Sequence, residues 1–194
     1  MYNYAIQTGK QHHTGRISQQ PGPYIQQQEK DVPIIEETID IAAGPADVFR
    51  FCHNDKSRSE WDEQVLRIEF LTPPPIRQGT LLRVDAKPAS GSTVFSYDAE
   101  VVSFQFPMNS RVRVLDTALS SPFGPGSEIG WEFSSVGGGT RVTWTWNYRP
   151  RGFFASVRNA LGGRAATQRA IRNSLANLKA MIEGGRRARS VSSS

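Results

Sequence analysis

The chain has 194 residues, a length that suits one domain with room for tails. Hydrophobic residues make up 38% and charged residues 21%, which allows a packed core and excludes wholesale disorder. The net charge is +5. Because there is only one cysteine, an intramolecular disulfide and a metal site of paired cysteines are excluded. A transmembrane helix is excluded because no segment approaches the roughly 20 apolar residues that span a bilayer.

The two ends of the chain lack a periodic apolar pattern. Residues 1–32 are rich in Gln, Gly and Pro, and we expect a disordered arm there. The arm has no apolar run typical of a secretion signal, which favours a cytoplasmic location. Residues 184–194 are expected to form a basic, Ser-rich flexible tail, and the Gly184–Gly185 pair is expected to end the helix before it. Residues 33–183, between these ends, are expected to form one folded domain.

The first part of this domain predicts one strand followed by two short helices. The expected elements are a strand over 34–41 and helices over 46–53 and 57–64. Pro45 suits the first turn of the first helix, and Ser57 with Glu60 three residues later matches the capping box of the second. Cys52 lies in an apolar part of the first helix, where we expect a buried, structural thiol.

Six further strands are expected, and turns rich in Gly and Pro separate them. They cover residues 65–71, 80–86, 93–104, 111–117, 128–133 and 140–150. In the last of them Val142, Trp144, Trp146 and Tyr148 alternate with polar residues, which predicts one buried and one exposed face.

The same alternation assigns faces in the other strands. It predicts that Leu66, Ile68 and Phe70 share one face of the first of these six strands. It also makes Tyr97 an inward candidate together with Phe95. The alternation in the strand over 128–133 places Trp131 on an inward face in the same way, together with Ile129 and Phe133.

A long helix closes the domain. The segment 151–161 has a helical pattern, and a second helical segment follows over 164–183 after a pair of glycines. A stripe of apolar residues recurs along it at helical spacing, namely Ile171, Leu175, Leu178 and Ile182. Twenty helical residues span roughly 30 Å, which is enough to cross a sheet.

The order of these elements indicates the fold class. Consecutive strands joined by short turns form an antiparallel meander, and only the amphipathic last helix can cover its concave face. We therefore expect an α+β fold of the helix-grip type. Its parts are a seven-stranded curved antiparallel sheet, a long C-terminal helix that the sheet wraps, and two short helices after strand 1.

Two stretches carry a family resemblance. The segment IDIAAGPADVFRFCHNDKSRSEWDEQV (39–65) and the closing run EIGWEFSSVGGGTRVTWTWNYRPRGFF with LANLKAMIE resemble the START and pollen-allergen superfamily, known as SRPBCC. Within it, the polyketide cyclase/dehydrase and lipid-transport group is most similar, and the resemblance covers about 32–183. It implies an internal hollow for a small apolar ligand. In the similar cyclases the hollow mostly positions a reactive chain, and a few Tyr, Arg or Asp residues assist proton transfers.

Aromatic side chains on the inferred inward faces suit the wall of such a hollow. The expected ligand-binding residues are Phe51, Trp61, Phe95, Tyr97, Trp131, Trp144, Trp146, Tyr148 and Leu175. For each of them, filling of the core is the alternative role.

No motif in the sequence indicates a particular reaction, because GxSxG, HExxH and a glycine-rich phosphate loop are all absent. Tyr97, His53 and Asp62 are the candidate catalytic residues, with His53 as a possible general base at the mouth of the hollow. A histidine that only ends a helix and a solvated carboxylate are the alternatives for His53 and Asp62. We expect no metal site and no cofactor.

The sequence leaves three functions open: a polyketide cyclase, dehydratase or aromatase; a non-catalytic carrier or chaperone of a lipid, quinone or sterol; and an interaction module. Residues 149–194 hold ten Arg or Lys and one Glu, whereas residues 32–148 carry a net charge of −5. This basic segment would suit an anionic membrane surface or an acidic protein partner. No nucleic-acid motif accompanies it, so a nucleic-acid partner is not favoured.

Overall fold

The computed structural model describes residues 34–151 and 162–192, with side chains up to residue 185. The elements in this part of the chain are β1 (Ile34–Ile41), α1 (Pro45–Cys52), α2 (Asp55–Trp61), β2 (Val65–Phe70), β3 (Leu81–Ala86), β4 (Phe95–Gln105), β5 (Asn109–Thr117), β6 (Glu128–Val136), β7 (Gly139–Asn147) and α3 (Arg164–Ser192). The predicted arm over 1–32 and the predicted helical segment after residue 151 lie outside the described residues.

The seven strands form one antiparallel sheet in the order β1-β7-β6-β5-β4-β3-β2. Strands that follow one another from β2 to β7 are neighbours, and β1 pairs with β7. Since β1 and β2 form opposite edges, the chain crosses the whole sheet between them by way of α1 and α2. The expected α+β helix-grip fold is therefore confirmed.

The start of α2 differs from the prediction. The helix begins at Asp55, because the side chain of Asn54 accepts a hydrogen bond from the backbone N–H of Lys56 and so caps it. The predicted cap at Ser57 is therefore wrong. The helix also ends early, and Asp62 becomes its C-terminal cap instead of a residue within it.

A bulge in β2 changes which side chains face inward. The pairing of β2 with β3 shifts register between Val65 and Arg67, and an extra residue in a strand reverses the alternation beyond it. Leu66 is consequently exposed, whereas Ile68 and Phe70 pack against the core. The prediction that these three residues share one face is therefore wrong for Leu66.

β4 is bent in the same manner. Its register with β5 shifts between Asp98 and Ala99 and again between Val101 and Ser103. Strict alternation would have continued the inward face from Val101 to residues 103 and 105. The second shift turns the Phe104 side chain toward the inside instead, where it packs against the core.

α3 lies along the edge strand β1 and buries its apolar stripe, as predicted. Polar side chains on the helix complete the contact. Arg172 and Gln168 each donate a hydrogen bond to the carboxylate of Glu37, at 2.8 and 2.6 Å, and the ammonium of Lys179 donates to the backbone carbonyl of Asp40 at 2.7 Å. The helix is thus held to the edge of the sheet by both apolar and polar contacts.

The C-terminal end of α3 differs from the prediction. The helix continues through Gly184 and Gly185 to Ser192, about two and a half turns beyond its expected end. Glycine in a helix costs only about 1 kcal/mol relative to alanine, and the Arg-Arg-Ala-Arg sequence that follows consists of good helix formers. Arginines near a helix C-terminus also interact favourably with the helix dipole.

Candidate functional site

A hollow of about 90 Å³ lies between the two short helices and the inner face of the sheet. We call it the main hollow. Its apolar wall is formed by side chains of the strands from β2 to β6 and of the chain after β2, namely Val65, Ile68, Phe70, Ile76, Leu82, Val84, Tyr97, Val101, Phe104, Val112, Ile129 and Trp131. Polar groups gather at the end near α1 and α2, where His53, Arg58 and Ser110 line it.

His53 and Ser110 form a hydrogen-bonded pair in the wall of the main hollow. Nδ1 of His53 lies 2.7 Å from the backbone carbonyl of Phe49, and Nε2 lies 2.6 Å from the Ser110 hydroxyl. A carbonyl can only accept, so Nδ1 must carry the proton. The other ring nitrogen then accepts the hydrogen bond that the Ser110 hydroxyl donates. Both the orientation and the tautomer of the imidazole are therefore set by the protein.

The imidazole of His53 is neutral at physiological pH. Its ring stacks on Phe49 at 4.1 Å and lies edge-on to Phe104 at 5.3 Å. The pKa of His53 is lowered from 6.5 to about 4, mainly because the ring is buried among these side chains. The hydrogen bond to the Phe49 carbonyl opposes this shift, and the positive charge of Arg58 adds to it. A neutral imidazole with an accepting Nε2 is the form that a general base requires.

The guanidinium of Arg58 is enclosed by three tryptophans. Its central carbon lies 4.3 Å from the ring centre of Trp61, 4.8 Å from that of Trp131 and 5.3 Å from that of Trp144. Contacts of this kind over a ring face attract a cation. The carboxylate of Asp62 lies 2.7 Å from Nη2 and accepts a hydrogen bond from Nε at 3.0 Å. Arg58 is therefore a fixed, neutralised cation at the edge of the main hollow.

Asp62 is a buried partner of Arg58, with only 3% of its surface exposed. Its second carboxylate oxygen accepts a hydrogen bond from the backbone N–H of Gln64 at 3.0 Å. The expected solvated carboxylate is thus wrong, because the early end of α2 turns Asp62 inward. It is also not among the residues that line the main hollow, so it can act on a ligand there only through Arg58.

Tyr97 points inward, as the strand alternation predicts, and lines the main hollow. Burial raises the pKa of its phenol well above the ordinary value, so the hydroxyl stays protonated. Its neighbour Asp98 lies on the outer face of the sheet, where it accepts two hydrogen bonds from Arg83. Tyr97 can therefore donate a hydrogen bond but cannot serve as a phenolate base.

The single cysteine has the structural role that was expected. Cys52 is free and buried at the end of α1, and it contributes to the wall of the main hollow. Burial raises the pKa of its thiol to about 12, because an apolar environment disfavours the thiolate. The thiol is therefore unsuited to be a nucleophile at neutral pH.

A second hollow, of about 60 Å³, lies at the other end of the inner face. Phe95, Trp146 and Tyr148 line it, together with Phe123 from the loop between β5 and β6 and Thr167 from α3. Three of the predicted ligand-binding residues therefore line this second hollow, whereas Tyr97 and Trp131 line the main one.

The other four predicted ligand-binding residues line neither hollow. Trp61 and Trp144 turn their ring faces to Arg58, which occupies the space that a ligand would need. Leu175 packs into the core as part of the α3 stripe, and Phe51 is only partly buried at the edge of that core. For these side chains, filling of the core is the role that their positions support.

Two residues of the polar end, Arg58 and Ser110, were not predicted from the sequence. Arg58 precedes Asp62 by four residues and Trp61 by three, and these spacings bring side chains together on a helix. The sequence therefore contained a signal that pointed to Arg58. Ser110 carried no such signal, because its partner His53 is 57 residues away in the chain and only the fold brings the two together.

In the described residues, no group of three or more His, Cys, Asp or Glu side chains could hold a metal ion. Within the same residues, no helix is both long and apolar enough to cross a bilayer.

Comparison with known proteins supports the fold at the level of a family. The family model described as polyketide cyclase / dehydrase and lipid transport matches residues 33–183. No curated protein matches the chain significantly in sequence. Among solved structures, protein TTHA0849 from Thermus thermophilus is similar with a TM-score of 0.65 and 18% identity, over 79% of this chain and 99% of that one.

Two more structures have the same fold. Protein Ms6760 from Mycobacterium smegmatis matches with a TM-score of 0.58 and 15% identity, over 80% of this chain and 94% of its own. The Zhui aromatase/cyclase from Streptomyces sp. R1128 matches with a TM-score of 0.57 and 12% identity, over 77% and 95% of the two chains. At such identities the likeness concerns the fold.

Proposed function

Because the chain belongs to the polyketide cyclase / dehydrase and lipid transport family, we propose that it binds a small, largely apolar molecule in the main hollow. The observation that carries the proposal is the division of this hollow into a long apolar wall and a short polar end formed by His53, Arg58 and Ser110. Ligand sites commonly combine apolar walls with a few oriented polar groups.

The polar end favours a ligand that carries a carbonyl oxygen. Arg58 can donate hydrogen bonds but cannot accept them, and Asp62 already neutralises its charge. A neutral oxygen acceptor therefore suits this site better than a carboxylate, for which a cation without a paired acid would be preferred. The rest of the ligand would contact the apolar wall and would therefore be apolar.

The size of the main hollow favours a compact ligand. A closed apolar cavity of about 150 Å³ holds benzene, and drug-sized ligands need about 300–1,000 Å³. The main hollow, with about 90 Å³, would accept one ring after slight widening of its wall.

If a reaction takes place in the main hollow, it would be of the cyclase or dehydratase type, in which a proton is removed next to a carbonyl group. His53 with Ser110 would take up the proton, Arg58 would hold the oxygen on which charge develops, and Tyr97 could donate a hydrogen bond. A base with a pKa of about 4 is weak. Positioning of the substrate would therefore contribute more than acid–base strength.

The proposed site can be tested with acetophenone, a probe that consists of one ring and one carbonyl group. A titration followed by amide NMR shifts should move the signals of residues in the wall of the main hollow. In Val112→Phe the new ring fills the hollow, and we expect affinity for the probe to fall by at least about tenfold.

Leu115→Phe is the matched control, because it adds the same ring on the exposed side of the same strand. Its affinity should equal that of the wild type. The proposed site is wrong if a folded Val112→Phe protein binds acetophenone like the wild type. If the wild type binds no acetophenone, and native mass spectrometry finds no small molecule on the purified protein, the proposed function fails as a whole.

A non-catalytic carrier that docks on membranes is the second candidate. The observation that favours it is the basic character of residues 149–194, where ten Arg or Lys accompany one Glu. Each basic residue near an anionic leaflet contributes about 1 kcal/mol to binding. Sedimentation with phosphatidylglycerol vesicles should then be lost at high salt and in a variant with Arg186, Arg187 and Arg189 all changed to Gln. Equal sedimentation with phosphatidylcholine vesicles would contradict a charge-based docking.

A further inference from the structure

The main hollow and the second hollow are separate. No residue lines both of them. They approach each other where Tyr97, from the wall of the main hollow, meets Phe123, from the wall of the second. The two ring centres are 5.3 Å apart and the ring planes are inclined at 72°, which is an edge-to-face contact. A wall two rings thick therefore divides the inner space.

Phe123 is the central ring of this wall. Its ring also makes edge-to-face contacts with Phe95 at 5.5 Å and with Trp146 at 5.3 Å, in addition to the contact with Tyr97. Only 3% of Phe123 is exposed, although it belongs to a loop. This loop side chain therefore fills the space among three aromatic rings of β4 and β7.

The backbone around Phe123 is held by short-range hydrogen bonds. The hydroxyl of Ser121 donates to the Phe123 carbonyl at 2.8 Å and accepts from the Phe123 N–H at 3.3 Å. The N–H of Gly124 donates to the Arg149 carbonyl at 2.8 Å, and Phe123 forms an isolated β-bridge with Pro150. These bonds tie the loop to the chain after β7, so the position of the ring does not depend on a bound ligand.

We infer that Phe123 determines the size of the ligand, because it separates two small hollows that would otherwise form one long cavity. The inference rests on the proposed function of the main hollow. With the ring in place, the main hollow takes a compound with a single ring and a carbonyl group. Without it, only the ring of Tyr97 stands between the two hollows, and we expect a shift of that ring to join them and admit a molecule with two rings in line. A longer polyketide-like chain could bind only after this wall had opened.

Two probes that differ by one ring test the inference. Acetophenone and 4-acetylbiphenyl carry the same carbonyl group, and only the second would need both hollows. We expect the wild type to bind acetophenone more tightly than 4-acetylbiphenyl. In Phe123→Ala the affinity for 4-acetylbiphenyl should rise by at least about tenfold, while that for acetophenone changes by less than about threefold.

The control variant is Leu178→Ala, which removes a fully buried side chain that lines neither hollow. It should gain no affinity for 4-acetylbiphenyl, so a general loosening of the core is distinguished from the opening of the wall. Circular dichroism and thermal unfolding report whether each variant is folded. If Phe123→Ala does not fold, Phe123→Leu and Tyr97→Leu can replace it, because they thin the same wall from its two sides. Each should show a smaller gain in affinity for 4-acetylbiphenyl.

Failure of the inference and failure of the proposed function give different results. If the wild type binds acetophenone but no folded variant of the wall gains affinity for 4-acetylbiphenyl, only the role of Phe123 is wrong. The same conclusion follows if the wild type binds both probes equally well. If the wild type and all variants bind neither probe, the proposed function itself fails.

Discussion

Arg58 is a buried charge whose counter-ion is supplied by the protein itself. Asp62 neutralises it, and the rings of three tryptophans cover it. Removing one partner of a buried ion pair typically costs about 3–5 kcal/mol, because the other charge is left uncompensated. The pair therefore belongs to the rigid framework of the main hollow, and a ligand finds its hydrogen-bond donors already oriented.

His53 should make stability depend on pH. Its pKa in the folded protein, about 4, lies below the ordinary 6.5, so between these values the unfolded chain binds a proton that the folded protein does not. Stability should thus fall as the pH is lowered from 6.5 toward 4, by about 3 kcal/mol in total for this residue. Urea unfolding at pH 7 and at pH 4 measures the change.

The matched variant is His53→Gln, which keeps a polar side chain beside Ser110 but does not titrate. Carboxylates such as Glu37, whose pKa is held below its ordinary value, also lose stabilising contacts in acid, but they do so equally in both proteins. The difference between the two proteins therefore isolates His53. An equal loss of stability in the wild type and in the variant would mean that the imidazole is not buried in its neutral form.

At the scale of elements, Gly139 at the start of β7 lies close to the backbone at the end of β1. A side chain at this position would collide with the backbone carbonyl of Ile41, which the chain cannot move without opening the pairing of the two strands. We expect Gly139→Ala to lower the free energy of unfolding by about 1–3 kcal/mol, the usual cost of overpacking. Urea denaturation gives the value.

Gly44→Ala is the comparison for this prediction. Gly44 has an extended conformation before α1, and nothing lies within 4 Å of a methyl group placed there. This change should cost less than Gly139→Ala, at most about 1 kcal/mol, because the only loss is the preference of a helix N-cap for glycine over alanine. Similar losses of unfolding free energy in both variants would show that the close approach of β1 and β7 is not what requires Gly139.

Bulges limited what the alternation of residues could predict. Alternation assigned β7 correctly, because its register with β6 is unbroken from Gly139 to Asn147. It failed for Leu66 and did not reveal that Phe104 faces inward, because β2 and β4 are bulged. A bulge adds one residue to a strand, and no local pattern in those two strands marks its position.

At the scale of the whole molecule, the two edges of the sheet are protected differently. The edge strand β1 is covered by α3, whose Arg164, Arg172 and Lys179 bind its carbonyls or its Glu37 side chain. The other edge, β2, is bulged and mostly exposed or half-buried. Strands with few buried contacts open more often.

Native-state hydrogen exchange should therefore proceed at least about tenfold faster for the bonded amides of β2 than for those of β1. The variant Glu37→Gln weakens the contact with Arg172 and should speed up exchange in β1 while leaving β2 unchanged. Uniform protection of the two edges would contradict this order of opening, and so would an equal effect of Glu37→Gln on both edges.

The sequence by itself determined the elements, their order and therefore the helix-grip fold, since apolar periodicity, turn residues and caps are local properties. It also indicated aromatic side chains on the inner face and a buried Cys52. The tertiary structure decided the site. His53 meets Ser110, and Tyr97 meets Phe123, across distances in the chain that only strand register, bulges and loop anchoring determine. The same long-range packing determined which aromatic residues line a hollow and which enclose Arg58.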